Sequence, residues 1–357
     1  MKFLHVVGNR PQFVKCSVVY RAIAAKGHTQ VLAHTGQHFD FNMSDIFFQE
    51  MKISKPDYQF QCGSLSHGAM TGRMLEALET VIEKEKPDRV VVYGDTNTTL
   101  ATALATTKLS IPLAHVESGL RAFNRSMPEE INRILTDHCS DFLFTPTDHA
   151  TKLLLQEGFP RSSIHQVGDV MYDAFLQFEK ISSKNSTILA DLSLSPKSYA
   201  LVTIHRAGNS DDRDRLEAII HGLIRIAKEM PILFPVHPRT LKKLKEFDLY
   251  EMASQAFHLI DPVGYLDMVQ LEKNASLIIT DSGGVPKEAY FSKVPCLTIR
   301  DEPIWVELIK NGFNKLVEAN PEAIYSSFKT SQERNPNWDL QLYGDGTSSQ
   351  KIADLLV

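Results

Sequence analysis

Short apolar runs rich in β-branched residues recur along the chain and alternate with longer amphipathic stretches, the pattern of parallel βαβ units. In the first half, strands are predicted at residues 3–7, 30–33, 89–93, 112–115 and 142–144, and helices at 13–25, 72–84, 98–107 and 148–157. The apolar runs are continuous rather than alternating, as expected for strands buried on both faces. A second series begins after Gly168 and Asp169, with strands at 200–204, 232–236, 258–260, 277–280 and 296–299. Its helices are predicted at 216–230, 265–273 and 285–291. The polar, Ser/Lys-rich stretch 182–195 reads as a surface connection near the boundary. The expected fold class is α/β, with two Rossmann-like domains, residues 1–170 and 171–344, and a cleft between them.

Composition narrows the classes. A chain of 357 residues exceeds the size at which one hydrophobic core keeps growing, which favours two domains. With 43% hydrophobic and 23% charged residues it is ordinary for a soluble globular protein. A formal net charge of −5 offers no electrostatic case for nucleic acid, so an anionic ligand needs a locally basic site. Cys16, Cys62, Cys139 and Cys296 stand far apart with no CxxC pair, and read as reduced structural thiols. The N-terminal run MKFLHVVGNRPQ is too short for a signal sequence, and no apolar stretch approaches the roughly 20 residues that span a bilayer. The chain reads as cytoplasmic, with no membrane partner.

In parallel sheets of this kind, ligands bind at the carboxyl ends of the strands. The chemistry-bearing residues collect there: His34 to His38 after one strand, Gly94 and Asp95 after another, and Glu117 after a third. In the second half His205 with Arg206, His237, and Asp281 to Gly284 follow three more. Chance would scatter polar residues over both ends.

Asp281-Ser282-Gly283-Gly284 lies between an apolar strand and a helix carrying Pro286 and Glu288. Glycines admit a ligand close to the backbone, and the free N–H groups of a helix start attract phosphate. Glu288, one turn in, is placed to bind ribose hydroxyls. The bland alternative is a strand–helix turn capped by Asp or Ser. Gly8-Asn9-Arg10-Pro11-Gln12 is a second glycine turn with a cation placed to meet an anion. It is neither GxGxxG nor a Walker loop, which counts against a dinucleotide dehydrogenase. Asp95, Glu117 and Glu129 are candidate acids for proton transfer at carbon. Their competing readings are helix capping for Asp95 and salt bridging of Glu129 to Arg121, Arg125 or Arg133. His205 and His237 suit phosphate contact or proton shuttling. His34, His38 and His115 invite a metal, but no HxxxH or HEXXH spacing supports one. No metal and no cofactor are expected.

Taken together, the segments GNRPQFVK (8–15), HTGQHFDFNMSDIFF (34–48), YGDTNTTLA (93–101), AHVESGLRAFNRSMPEEINRILTD (114–137), VGDVMYDA (167–174), TIHR (203–206), PVHPRT (235–240), TDSGG (280–284) and LYGDG (342–346) resemble the non-hydrolysing UDP-N-acetylglucosamine 2-epimerase family. The resemblance runs in order over essentially the whole chain. It implies a fold of the glycosyltransferase-B type, with a C-terminal helix at 345–357 packing back on the first domain. It also implies a reaction: anti elimination of UDP with loss of the C2 proton, giving a 2-acetamidoglucal, then re-addition on the opposite face. By motif, Asp95, Glu117, Glu129 and His205 take the catalytic roles. Arg10, Lys15, Arg133, His237, Ser282, Gly283, Gly284 and Glu288 take substrate binding. Gln37, Arg73 and His237 fall where bacterial members bind a second, activating UDP-sugar, and the relatives suggest a homodimer working in surface-polysaccharide synthesis.

Three positions depart from the family pattern. Gly208 stands where relatives usually carry Glu, Pro286 where they carry Gln, and Pro303-Ile304-Trp305 where they read Thr-Glu-Trp or Thr-Glu-Arg. Each removes a polar group near the expected diphosphate or sugar, which predicts altered substrate handling. The branch acting on UDP-2,3-diacetamido-2,3-dideoxyglucuronate fits the same motifs, and a hydrolysing epimerase fits them less well. From other classes, a glycosyltransferase of the same fold would need no base at C2. A catalytically weakened nucleotide-sugar-binding protein is the remaining reading.

Overall fold

The computed structural model describes residues 1–37, 53–332 and 336–357. The chain forms two compact units, Met1–Leu176 with Gln341–Val357, and Gln177–Leu340. In the first, β1 (Lys2–Val7), β2 (Thr29–His34), β3 (Tyr58–Gln59), β4 (Arg89–Tyr93), β5 (Leu113–Val116), β6 (Phe142–Thr145) and β7 (Ile164–Gln166) make one sheet. Its order is β3-β2-β1-β4-β5-β6-β7, and each recorded pairing is parallel. Helices α1 (Arg10–Ala24), α2 (His67–Glu85), α3 (Asn97–Lys108), α4 (Pro128–Cys139), α5 (Asp148–Gln156) and α6 (Val170–Asn185) accompany it.

The second unit carries β8 (Ala200–Thr203), β9 (Ile232–Pro235), β10 (His258–Ile260), β11 (Leu277–Thr280), β12 (Cys296–Ile299) and β13 (Asn314–Val317), in the order β10-β9-β8-β11-β12-β13. Between them run α7 (Ile188–Asp191), α8 (Ala207–Ser210), α9 (Arg213–Ala227), α10 (Pro238–Glu246), α11 (Tyr250–Ala256), α12 (Tyr265–Asn274), α13 (Val285–Phe291), α14 (Val306–Lys310) and α15 (Pro321–Gln332). In both sheets the order reverses beside the first strand, at β1/β4 and at β8/β11. Such reversals open a crevice at the strands' carboxyl ends.

The continuous apolar runs follow from burial on both faces. Ala200 and Val202 join a cluster with Leu216, Ile219, Ile220 and Leu223 of α9, while Leu201 packs with Val285 and Ala289 of α13 on the other side. In the first unit Leu4, Val6, Val90 and Val92 meet Met74, Leu78, Val81 and Ile82 of α2. Each such Leu or Val contributes about 1.5–3 kcal/mol by leaving water. Side chains set several helix starts. Asn9 caps α1 by accepting the Gln12 N–H at 3.1 Å, and Thr96 forms a reciprocal capping box with Thr99.

The end of the chain returns to the first unit. α16 (Ser348–Leu356) buries Ile352, Ala353 and Leu356 and packs with α1, and its Ser348 and Ser349 N–H groups donate to Asp173 at 3.1 and 2.6 Å. Some elements differ from expectation. α9 starts at Arg213 because Asp212 caps it, accepting the Arg215 N–H at 3.1 Å. The stretch expected as a polar connection holds the end of α6 and the short α7. The helix α4 was not visible in the hydrophobic pattern. Among the described residues, no helix is long and apolar enough to cross a membrane.

Candidate functional site

At the first unit's switch point, the turns after β1 and β4 are stitched together. An ideal Cβ on Gly8 would lie 2.0 Å from Thr98 Oγ1 and 2.7 Å from Thr35 Oγ1, so the close approach admits only glycine. The buried Gln12 side chain accepts the Gly8 N–H at 2.7 Å and donates to Tyr93 O at 2.6 Å and to Thr96 and Thr99 at 2.9 Å. Asp95 follows at the end of β4. Arg133 of α4 holds its carboxylate through Nε at 3.0 Å and Nη2 at 2.9 Å. Thr96, not Asp95, caps α3.

Glu117 ends the adjacent strand β5 and has φ +75°, a left-handed backbone that costs a non-glycine residue about 1–2 kcal/mol. Its N–H and that of Ser118 both donate to Phe144 O, at 3.1 and 3.0 Å. Strain of this kind collects at functional sites. Lys15 of α1 forms an ion pair with the Glu117 carboxylate. An ammonium beside a carboxylate favours its ionised form, which is the form that accepts a proton.

The third candidate acid sits differently. Glu129 is exposed in the first turn of α4, whereas its neighbour Glu130 is buried. Glu130 accepts the N–H groups of Ala122 and Phe123 at 2.9 and 2.8 Å and pairs with Arg133 at 2.6 Å. Arg133 thus bridges Asp95 and Glu130, and Arg121 is taken by Asp137 and Glu157, both at 2.7 Å. Sequence reasoning missed Glu130. The signal available was its spacing of three from Arg133, which puts both on one helix face.

In the second unit, fully buried Asp281 organises the turn after β8. It accepts the N–H groups of His205 and Arg206 at 3.0 Å and the Asn209 amide at 3.2 Å, and its Oδ1 lies 3.4 Å from His205 Nδ1. The His205 and His237 rings stand 5.7 Å apart, and His237 begins α10, its Nδ1 accepting the Arg239 N–H at 3.2 Å. After Asp281, Ser282 Oγ accepts the Gly284 N–H at 3.3 Å, and Trp305 Nε1 donates to Gly283 O at 2.8 Å. The Lys287 ammonium lies 4.1 Å over the Trp305 ring. Neither Asp281 nor Ser282 caps α13, whose N-cap is Gly284. Glu288 lies in its first turn. Behind it is a buried carboxyl, Glu272, neither of whose oxygens has a hydrogen-bond partner in the described structure. Burial, then the charge of Glu288, pushes it well above the ordinary carboxylate range.

The sequence model of UDP-N-acetylglucosamine 2-epimerase matches residues 21–357. The chain belongs to this family. It is 49% identical to a UDP-N-acetylglucosamine 2-epimerase homolog of Methanococcus maripaludis, over 100% of this chain and 99% of the relative. It is likewise 49% identical to the UDP-2,3-diacetamido-2,3-dideoxy-D-glucuronate 2-epimerase of Pseudomonas aeruginosa, with the same coverage. The crystal structure of the Methanocaldococcus jannaschii UDP-GlcNAc 2-epimerase, in complex with UDP-GlcNAc and UDP, matches with a TM-score of 0.90 at 44% identity, covering 100% of this chain and 99% of that one. The fold class expected from the strand pattern, two Rossmann-like α/β halves of the glycosyltransferase-B type, is the one this family shares. As a 2-epimerase family member the chain is an isomerase.

The remaining epimerase-motif residues take these places. Gln37 accepts the Thr98 N–H at 2.9 Å and its hydroxyl at 2.8 Å, and Arg73 is exposed on α2. Arg10 opens α1 directly after the Gly8 turn. His38 lies outside the described residues. The buried His34 ring packs on Phe13 at 5.0 Å, and burial lowers its pKa to about 4. Of the three departures from the epimerase pattern, Gly208 lies in the four-residue α8 with open space around its Cβ position, Pro286 is buried at the start of α13, and Ile304 Cδ1 lies 3.7 Å from the Gly283 Cβ position.

Proposed function

We propose that this epimerase interconverts UDP-N-acetylglucosamine and UDP-N-acetylmannosamine by elimination and re-addition of UDP. The carrying observation is the pairing of Asp95 with Arg133 and of Glu117 with Lys15, at the ends of the neighbouring strands β4 and β5. Two carboxylates beside one ring, each with its own cation, suit proton removal on one face and proton return on the other. In the forward step the C2–H bond breaks and its electron pair forms the C1–C2 double bond. The C1–O bond breaks with its pair leaving on UDP, and the proton passes to a carboxylate. The reverse step adds UDP to C1 and protonates C2 from the opposite face. The leaving diphosphate needs donors, a role for Arg10, His205 and the N–H groups of Ser282 to Gly284, with Glu288 on the ribose. Glu129 is the third acid in this reading, brought in by substrate.

The same reading makes the enzyme a cytoplasmic homodimer serving surface-polysaccharide synthesis, with Gln37, Arg73 and His237 taking a second, activating UDP-sugar. Incubation with UDP-N-acetylglucosamine in heavy water tests the chemistry. Deuterium at C2 of both epimers is the expected result, and substrate recovered with protium at C2 overturns it. The 49% identity to the Pseudomonas enzyme supports a second reading, in which a UDP-2,3-diacetamido glucuronate is the sugar. Comparing kcat/KM for the two UDP-sugars decides between them.

A further inference from the structure

Beneath the two carboxylates lies a charged network that the reaction does not use directly. His115, in the middle of β5 and fully buried, has Nδ1 2.6 Å from Asp137 Oδ1 and Nε2 2.7 Å from the Gly94 carbonyl. Both neighbours are acceptors, so only a ring carrying protons on both nitrogens donates to both. Asp137, fully buried on α4, also accepts the Gly119 N–H at 3.1 Å and Arg121 Nη1 at 2.7 Å. Burial pushes the Asp137 carboxyl up, but the hydrogen bonds and charges of His115 and Arg121 outweigh it and leave it below the ordinary value. It is therefore ionised.

The bonds of this pair land on the backbone at both sides of the site. Gly94, φ +64°, precedes Asp95, and Gly119, φ +79°, follows Glu117 by two residues. We propose that His115 and Asp137 are positioning residues, a buried imidazolium–carboxylate pair that sets the spacing of the Asp95 and Glu117 carboxylates by tying the Gly94 turn to the Gly119 turn. Without it the left-handed turns have no common anchor. This inference rests on the epimerisation read from the same site. A buried ion pair is a poor source of stability, and well-packed apolar replacements of similar size are often neutral or better. Stability and catalysis therefore separate.

The test is the double variant His115→Phe/Asp137→Leu. Its melting temperature and its calorimetric affinity for UDP stay near those of the parent. Its kcat falls by about 10²-fold, the usual penalty for reacting groups displaced by about an ångström, with little change in KM. A folded double variant with parental kcat overturns the proposal. Should it fail to fold, ¹⁵N NMR of the parent decides. Ring nitrogens of His115 both protonated at neutral pH support the pair, and a neutral imidazole overturns it. A parent that shows no C2 exchange on either UDP-sugar refutes the proposed reaction instead, and leaves the NMR result standing by itself.

Discussion

Lys15 of α1 and Glu117 at the end of β5 form an ion pair whose side chains are only 11% and 9% exposed. A charge pair this deeply buried is expensive to make and more expensive to break, because removing one partner strands the other. Its position at a left-handed residue on a strand's carboxyl end ties it to chemistry more than to stability.

Glu117→Gln is therefore expected to keep UDP binding while removing the proton acceptor. The expected fall in kcat is about 10²- to 10⁴-fold, the range for loss of a general base. Deuterium incorporation at C2, followed with calorimetric UDP titration, checks it. Parental exchange rates in this variant would show that Glu117 does not touch the C2 proton.

The Gly8 turn predicts a contrast between two glycine-to-alanine changes. Gly8→Ala drives a methyl into Thr98 and Thr35, and overpacking of this kind costs about 1–3 kcal/mol. Gly72→Ala, in α2 with nothing within 4 Å of its Cβ position, gains about 0.5–1 kcal/mol from helix propensity. Urea melts of the two variants should move in opposite directions.

Asp281 serves several donors of one turn, so Asp281→Asn turns an amide N–H₂ toward backbone N–H groups. Each buried donor left unmet costs about 1–3 kcal/mol. The His205–Arg206 turn loosens, and UDP affinity is expected to fall by about tenfold or more. Unchanged UDP affinity would remove this turn from the diphosphate site.

Glu272 gives a pH signature. Its folded pKa lies well above the model 4.5, chiefly through burial and then through Glu288. A carboxyl raised on folding contributes fully below its unfolded pKa, and that contribution is lost as pH rises toward the folded value. From about pH 4.5 upward the parent loses up to about 1.4 kcal/mol per pH unit through this group until its folded pKa is reached. Glu272→Gln has no such loss. Its melting temperature should gain on the parent steadily with pH, and parallel pH profiles would contradict this reading.

Strands were the most legible part of the sequence, because β1, β4, β8 and β11 are buried on both faces and carry unbroken apolar runs. α4 was hidden for the opposite reason. The residues it buries are Glu130, Asn132, Thr136 and Asp137, so its inward face is polar and leaves no hydrophobic periodicity to read. The short strands β7 and β13 escaped notice because three or four residues at a sheet's edge carry little pattern.

The site divides along the same line. The order of residues along the chain was enough to place Asp95, Glu117, His205 and Asp281 at strand ends, since a parallel sheet puts every carboxyl end on one edge. Which partners those groups have, Arg133 for Asp95, Lys15 for Glu117, and His115 with Asp137 beneath both, involves contacts between residues 22 to 102 positions apart. Local pattern carries no record of such pairings. They arise only when neighbouring strands and their crossover helices pack, and burial then makes each charge depend on the one partner within reach.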